Sequence, residues 1–183
     1  TGMDVAAING SGSSGQPTGI LNASGTGSVA GGTNGAAPTW DHLVDLEGAV
    51  SNANADFGRL AYLTNSRVRT RLRKTQKFSG TNGQEIWEDG RESGMGMVAG
   101  YDAWVSNNVP NTLTKGTASG VCSAIIFANW ADLLIGLWGG LDYILDTSAL
   151  ALSGGRRLVA LQDCDIQLRR QVSFACMKDA LTA

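Results

Sequence analysis

The sequence predicts an α+β domain: a central mixed sheet with helices on its flanks. Three stretches carry this prediction. Residues 121–146, VCSAIIFANWADLLIGLWGGLDYILD, form the most apolar part of the chain. Residues 40–57 place Trp40, Leu43, Val44, Leu46, Val50, Ala53 and Phe57 at helical spacing, which gives one apolar face. Near the end, Cys164, Ile166, Leu168, Val172, Phe174 and Cys176 share one parity, the period of a strand, interrupted on that face only by Arg170.

The apolar stretch is not a membrane helix. Asp132 interrupts it and Asp142 and Asp146 follow, so no uncharged run reaches the ~18 residues a span requires. Each aspartate at a bilayer centre would cost about 2.5–3.5 kcal/mol. Three short strands fit better: 121–127, then 133–138 and 141–145, with Asn129 capping one turn between the first two. Gly139-Gly140 suits a tight hairpin between the last two. This is the expected sheet on which the rest packs.

From the start of the chain, residues 4–9 resemble the last turns of a helix, with Gly10 as a left-handed cap. Residues 10–35 are rich in Gly, Ser, Thr, Asn and Ala and offer little apolar surface to offset ordering entropy. Within them, Pro17-Thr18-Gly19 is turn chemistry, and Ile20-Leu21 can anchor the loop to the core. Thr39 is the expected cap of the first long helix, with Asp41 in the first turn where a carboxylate suits the dipole. Residues 60–63 form a short buried strand. Asn65 or Ser66 caps a second helix expected to reach Lys77, with Val68 and Leu72 buried and Arg67, Arg69, Arg71, Arg73, Lys74 and Lys77 on its other faces. Gly80-Thr81-Asn82-Gly83 is a turn, residues 85–87 an edge segment and residues 88–96 a polar loop. Residues 98–105 read as a strand ended by Asn107, Asn108 and Pro110, and Ser153-Gly154-Gly155 turns the chain before the last strand.

At 183 residues, one domain spanning 1–183 is expected. A net charge of −2 exerts no global pull toward nucleic acid or membrane. The odd cysteine count, Cys122, Cys164 and Cys176 without CxxC spacing, points to buried free thiols in a reducing compartment. One histidine, His42, excludes a histidine-rich metal site. No signal peptide is visible. The opening TGMDVAAING starts mid-element, which suggests that the parent protein extends upstream.

Gly10-Ser11-Gly12-Ser13-Ser14-Gly15 matches GxGxxG, the alternative of a nucleotide-binding enzyme. That fingerprint needs a strand before it and a helix directly after it, and Gln16-Pro17-Thr18-Gly19 is a turn. The basic run 67–77 lacks interleaved aromatics, so weak, salt-dependent nucleic-acid contact or a solvated face is expected, the latter paired with acids of a neighbouring subunit. His42 is expected on a helix surface. Glu88-Asp89 and Asp163/Asp165 look like loop and strand-end charges. The five tryptophans do not cluster in sequence and suit core or subunit contacts.

The order of segments resembles a known family. DVAAINGSGSSGQPTGILN is similar to a helix end, glycine loop and "Pro-x-Gly-Ile-Leu" turn. TWDHLVDLEGAV and AYLTNSRVRTRL resemble a helix, an "x-Asn" strand end and the next helix. KFSGTNGQEIW resembles a "Gly-x-x-Leu-Trp" turn. GYDAWVSNNVP resembles a "Gly-x-Pro-Val-x-x-Ser-x-x-Val-Pro" strand, with Tyr101-Asp102 in place of the usual residues. IIFANWADLLIGLWGGLDYILD resembles "Phe-Gly-Asp-x-Ser-x-x-x-Ile-Gly", and DIQLRRQVSFACMKD the arginine-bearing closing strand. These segments resemble the Hong Kong 97-type major capsid proteins of tailed double-stranded-DNA bacteriophages.

The resemblance implies a structural role, with no catalytic, cofactor-binding or metal residues. It implies a homo-oligomer of hexamers and pentamers in an icosahedral shell. The phage scaffold, protease and portal would be partners, packaged DNA would be touched only indirectly, and no membrane would be involved. Such a protein resides in the virion and assembles in the bacterial host cytoplasm. An encapsulin-type compartment shell of the same fold is the alternative. The resemblance covers the axial domain plus the C-terminal strand of the peripheral domain, so the arm, the extended loop and most of the spine helix would lie before Thr1. Some family shells carry a lysine–asparagine isopeptide staple assisted by glutamate. The asparagine position falls near Arg170 and the glutamate near Met177, so no cross-link is implied.

Overall fold

The computed structural model describes residues 2–80, 83–90 and 94–182. Helix α1 (Gly2–Asn9) leads through the glycine-rich segment, which contains strand β1 (Gly27–Ser28), into α2 (Trp40–Ser51). Strand β2 (Leu60–Thr64) feeds α3 (Ser66–Leu72). Strands β3 (Glu88–Asp89), β4 (Met95–Val98), β5 (Tyr101–Val105), β6 (Leu113–Lys115) and β7 (Ala118–Asn129) follow. The chain ends with β8 (Leu133–Asp146), β9 (Arg157–Leu168) and β10 (Phe174–Leu181). The main sheet has the order β1-β10-β7-β2-β5-β4-β3, with β6 beside the start of β7. It is mixed, because β1 runs parallel to β10 and β2 parallel to β5.

Strand β7 is central because its sequence has no polar face to offer water. Residues 122–129 are all buried, as expected of a strand covered on both sides. Alternation divides it between two cores. Ile125 and Phe127 join Tyr62, Met177 and the helix residues Leu43, Leu46, Val50, Val68 and Leu72. Ile126 and Ala128 join Phe174, Cys176, Ile8, Ile20 and Leu21 on the other face. The Tyr62 ring lies 4.5 Å from that of Phe127, and its hydroxyl donates to Leu43 O at 2.9 Å. Burial, and then the charge of Glu47, push this phenol well above the usual tyrosine range.

Both predicted helix caps are present. The Thr39 hydroxyl accepts from His42 N, and Thr39 N donates to His42 Nδ1 at 3.3 Å. His42 therefore completes a capping box, a position usually held by Glu or Gln, and is more than the surface histidine expected. Helix α2 buries Leu43, Leu46 and Val50 as predicted but stops at Ser51, so Phe57 lies beyond it and is exposed. Asn65 caps α3 by accepting from Val68 N at 3.0 Å, while its amide donates to Pro110 O. Val68 and Leu72 are buried, as expected. The helix ends at Leu72, short of Lys77. Thr75 O instead accepts from Ile86 N and Lys77 N donates to Gln84 O, bonds that turn the chain away from the helix axis.

Five expectations need correction. Gly10 is absent from the positive-φ glycines. A Cβ there would sit 2.2 Å from Pro17 O, so close packing, not a left-handed cap, requires glycine. The segment 10–35 is tied down: Ile20 N and Leu21 N bond back to Ala7 O and Ile8 O, and β1 adds an edge to β10. Residues 98–105 are not one strand, because Ala99 (φ 53°) and Gly100 (φ 82°) form a hairpin turn between β4 and β5, and residues 88–89 and 95–96 of the expected loop are paired strand. Thr81, Asn82 and residues 91–93 lie outside the described residues.

The fourth correction is Gly139-Gly140, which is a bulge and not a turn. Strand β8 keeps pairing with β9 past it, with a register shift between Trp138 and Asp142 and Gly139 at φ 75°. Strands β8 and β9 form a separate two-stranded ribbon, so only the first of the three predicted strands belongs to the main sheet. Fifth, the expected long closing strand is two strands in two sheets. Between β9 and β10, Arg169 N donates to Asp132 O at 2.8 Å and the Ser173 hydroxyl to Asp132 Oδ2 at 2.6 Å. Parity survives at Ile166, Leu168, Phe174 and Cys176, all buried, while Val172 sits in the break and is 39% exposed.

Asn129 joins ribbon to sheet. Its Oδ1 accepts from Arg59 N at 3.1 Å and Ala131 N at 3.2 Å, and its amide reaches Asp132 Oδ2 at 3.4 Å. Asn129→Ala leaves these groups unpaired and is expected to cost about 2–3 kcal/mol in urea unfolding.

The cysteines divide by position. Cys122 and Cys176 are buried and Cys164 lies exposed on the ribbon, against the expectation of three buried thiols. Burial pushes the Cys176 thiol up to about 12, and burial followed by the Asp179 charge raises that of Cys122. Since the thiolate is the reacting form, a thiol reagent at neutral pH is expected to label Cys164 alone in the native monomer and all three cysteines after denaturation. Rapid native labelling of Cys176 would contradict this packing.

Candidate assembly surfaces

The ribbon is the first candidate surface. Its apolar residues are exposed on both faces: Ile144 and Leu145, on opposite sides of β8, are 51% and 55% exposed. Leu137, Trp138, Tyr143, Leu158 and Leu161 are exposed in the same way. A two-stranded ribbon is marginal in water on its own, and a contiguous apolar surface of this kind marks an interaction site. Of its acids, Asp163 stands in register with Trp138, Asp165 accepts from Ile166 N and Asp146 accepts from Ser148 N and Ala149 N.

The second candidate is half of one sheet face. On the α1 side, the β10–β7 half is covered by Ile8, Ile20 and Leu21. The β2–β5–β4 half presents Leu63, Asp102, Trp104, Met95 and Met97, brought together by the pairings Leu63↔Trp104, Met95↔Trp104 and Met97↔Asp102. Trp104 is 44% and Met97 41% exposed. A cleft of about 640 Å3 opens here, lined by Arg59, Leu63, Asp102, Trp104 and Trp130. The Trp130 indole is fixed by donating to Ala61 O at 3.0 Å and stands edge-on to Phe174. Trp104 and Trp130, far apart in sequence, thus share one cleft. No local signal reveals this, because it comes from the parallel β2–β5 pairing.

The third is the helix layer on the opposite face. Helix α2 carries Asp41, Asp45 and Glu47 and no lysine or arginine. Helix α3 carries Arg67, Arg69 and Arg71 and no acid, and Arg73 and Lys74 follow. Arg73 pairs with Asp89 at 2.7 Å and Lys77 with Glu88 at 2.6 Å, so the expected loop acids answer the basic run within the chain. Lys77 Nζ also lies 5.0 Å from the centre of the Trp40 ring.

The remaining candidates are placed as follows. The GxGxxG segment follows a helix and leads into a turn closed by the Ser11↔Thr18 bridge, so the strand and helix its nucleotide role requires do not flank it. Arg170 lies 5.5 Å from the Phe57 ring, and Met177 is buried in β10. Among the described residues, no three His, Cys, Asp or Glu side chains are grouped to hold a metal, and no helix is long and apolar enough to cross a membrane.

The phage capsid family profile matches residues 1–179. The major capsid protein of Halomonas phage phiHAP-1 is 30% identical over 178 residues, 97% of this chain and 26% of that protein. Among solved structures, the capsid of the empty GTA particle superposes with a TM-score of 0.67 at 20% identity, covering 96% of this chain and 60% of that one. The holo-SrpI encapsulin complex from Synechococcus elongatus gives 0.64 at 15%, covering 98% and 60%. Gordonia phage Cozz gives 0.64 at 16%, covering 96% and 58%. At these identities the structural likeness is one of fold. The chain spans about a quarter of the curated relative and about three-fifths of the solved chains.

Proposed function

This chain belongs to the phage capsid family, and on that footing we propose that it is the shell-forming part of a major capsid subunit from a tailed phage or prophage. The subunit assembles into hexamers and pentamers of an icosahedral shell around double-stranded DNA. Its work is structural and not enzymatic. The chain serves as the axial domain together with the C-terminal strand of the peripheral domain. The scaffold, protease and portal of the phage are its assembly partners, and it acts in the virion after assembly in the host cytoplasm.

The observation that carries this reading is the ribbon, apolar on both faces at residues such as Ile144 and Leu145. Such a surface needs a cover, and a shell provides one. The encapsulin likeness in fold is nearly as close as the capsid one, but the relative at 30% identity is a phage major capsid protein. A terminase and portal beside the gene would support the virion role, whereas a cargo enzyme there would support the compartment.

The experiment is light scattering with negative-stain imaging on residues 1–183 and on the product of the complete reading frame. The complete product is expected to close shells, and residues 1–183 to remain monomers or weak five- or six-membered rings. Denaturing gels of the shells should show single-chain bands, because neither Arg170 nor Met177 can form the amide staple. A complete product that stays monomeric would overturn the proposal.

A further inference from the structure

We propose that neighbouring copies join through unlike faces, the helix layer of one docking on the open half-sheet of the next, with Arg71 and Lys74 set over Asp102 and Trp104. This rests on the capsid reading and specifies the surfaces it uses.

Helix α2 packs on β10, β1 and β7, and the chain following α3 reaches the other edge through Arg73 and Asp89 of β3. At the β3 edge Arg73 and Lys77 are answered by Asp89 and Glu88, and Glu47 of α2 accepts from the Tyr101 hydroxyl of β5, which leaves Arg71 and Lys74 as the exposed cations of the α3 end without an acid of their own. On the opposite face Asp102 stands on β5 beside Trp104, with Arg59 lining the same cleft. Setting the α3 end of one helix layer over this half-sheet of a neighbour, with a rotation between the copies, puts base over acid. Among the described residues, Arg59, Arg71, Lys74, Asp41, Asp45 and Asp102 have no side-chain hydrogen bond or ion pair, so their charges remain available.

The half-sheet also suits a cation. A guanidinium can lie over the exposed Trp104 face while pairing with the adjacent carboxylate, which combines cation–π attraction and charge pairing. Met95, Met97 and Leu63 supply the apolar surround that excludes water. The two faces lie on opposite sides of one sheet and cannot meet within a chain. A contact between unlike faces is heterologous, and it closes into a ring when the rotation at each step is the right one. The competing arrangement, helix layer on helix layer about a two-fold axis, also matches charges, but it leaves Trp104 bare and closes at two subunits.

The test uses the complete reading-frame product, followed by light scattering at rising concentration and by tryptophan emission. Asp102→Arg and Arg71→Asp are each expected to weaken association by about a hundredfold, with an unchanged melting temperature. The double variant is expected to recover most of the loss, and Trp emission should shift to the blue on assembly of the wild type. If Asp102→Arg fails to fold, Trp104→Ser at the exposed position replaces it, with the same loss expected. Single variants that assemble like the wild type would overturn this inference and leave the capsid reading intact, as would singles that fail without rescue in the double. A tight two-fold dimer would overturn it in favour of the helix-to-helix contact. A wild type that forms no particle would count against the capsid reading itself.

Discussion

Phe174→Ala is expected to destabilise the fold by about 3–5 kcal/mol, the range for a fully buried aromatic cut back to alanine. Phe174 has no exposed surface and opens β10, paired with Ala128 of the central strand. Its ring stands 6.3 Å from that of Trp130 at 86°, so truncation opens a cavity beneath the cleft wall. It shares its core with Ile8, Ile20 and Leu21, the residues that hold α1 and the glycine-rich segment to the sheet. The segment and the sheet should loosen together. Urea unfolding followed by circular dichroism checks this, and a loss below about 1 kcal/mol would place Phe174 outside the core.

The opposite behaviour is expected on the ribbon. Leu137→Asp and Ile144→Asp change residues that are 58% and 51% exposed, so in the monomer they should alter stability by no more than about 0.5 kcal/mol. In the complete reading-frame product they should abolish shell formation, because an unpaired carboxylate would then be buried in an apolar interface. Sedimentation velocity separates the outcomes: a folded, slowly sedimenting species is expected, and shells of normal size from either variant would show that the ribbon is not buried on assembly.

The contrast between these residues explains how far the sequence could be read. Phe174 and Ile144 look alike in sequence, since both sit in apolar runs of strand period. Burial in a chain's own core and burial by a partner select the same side chains, so the apolar stretch 121–146 was legible as strand, but not that residues 133–146 leave the core as an exposed ribbon. The helix starts were legible because Thr39 and Asn65 act within three residues of themselves. Gly139-Gly140 was not, because a tight turn and a bulge ask the same positive φ of glycine, and only the pairing of β8 with β9 beyond it decides. The break at Arg169–Ser173 depends on Asp132, far away in the chain. The Trp104–Trp130 cleft likewise depends on β2 lying beside β5. The charges of α2 and α3 were visible one by one, but that Asp89 and Glu88 answer Arg73 and Lys77 required the folded chain.

An image reconstruction of particles formed by the complete reading-frame product is the most direct measurement. Closed icosahedral shells are expected, whose five- and six-membered rings join subunits through unlike faces, with the β8–β9 ribbon covered on both sides and Trp104 beneath a neighbour's α3. A product that forms only a two-fold dimer, or shells in which the ribbon remains open to solvent, would contradict this expectation.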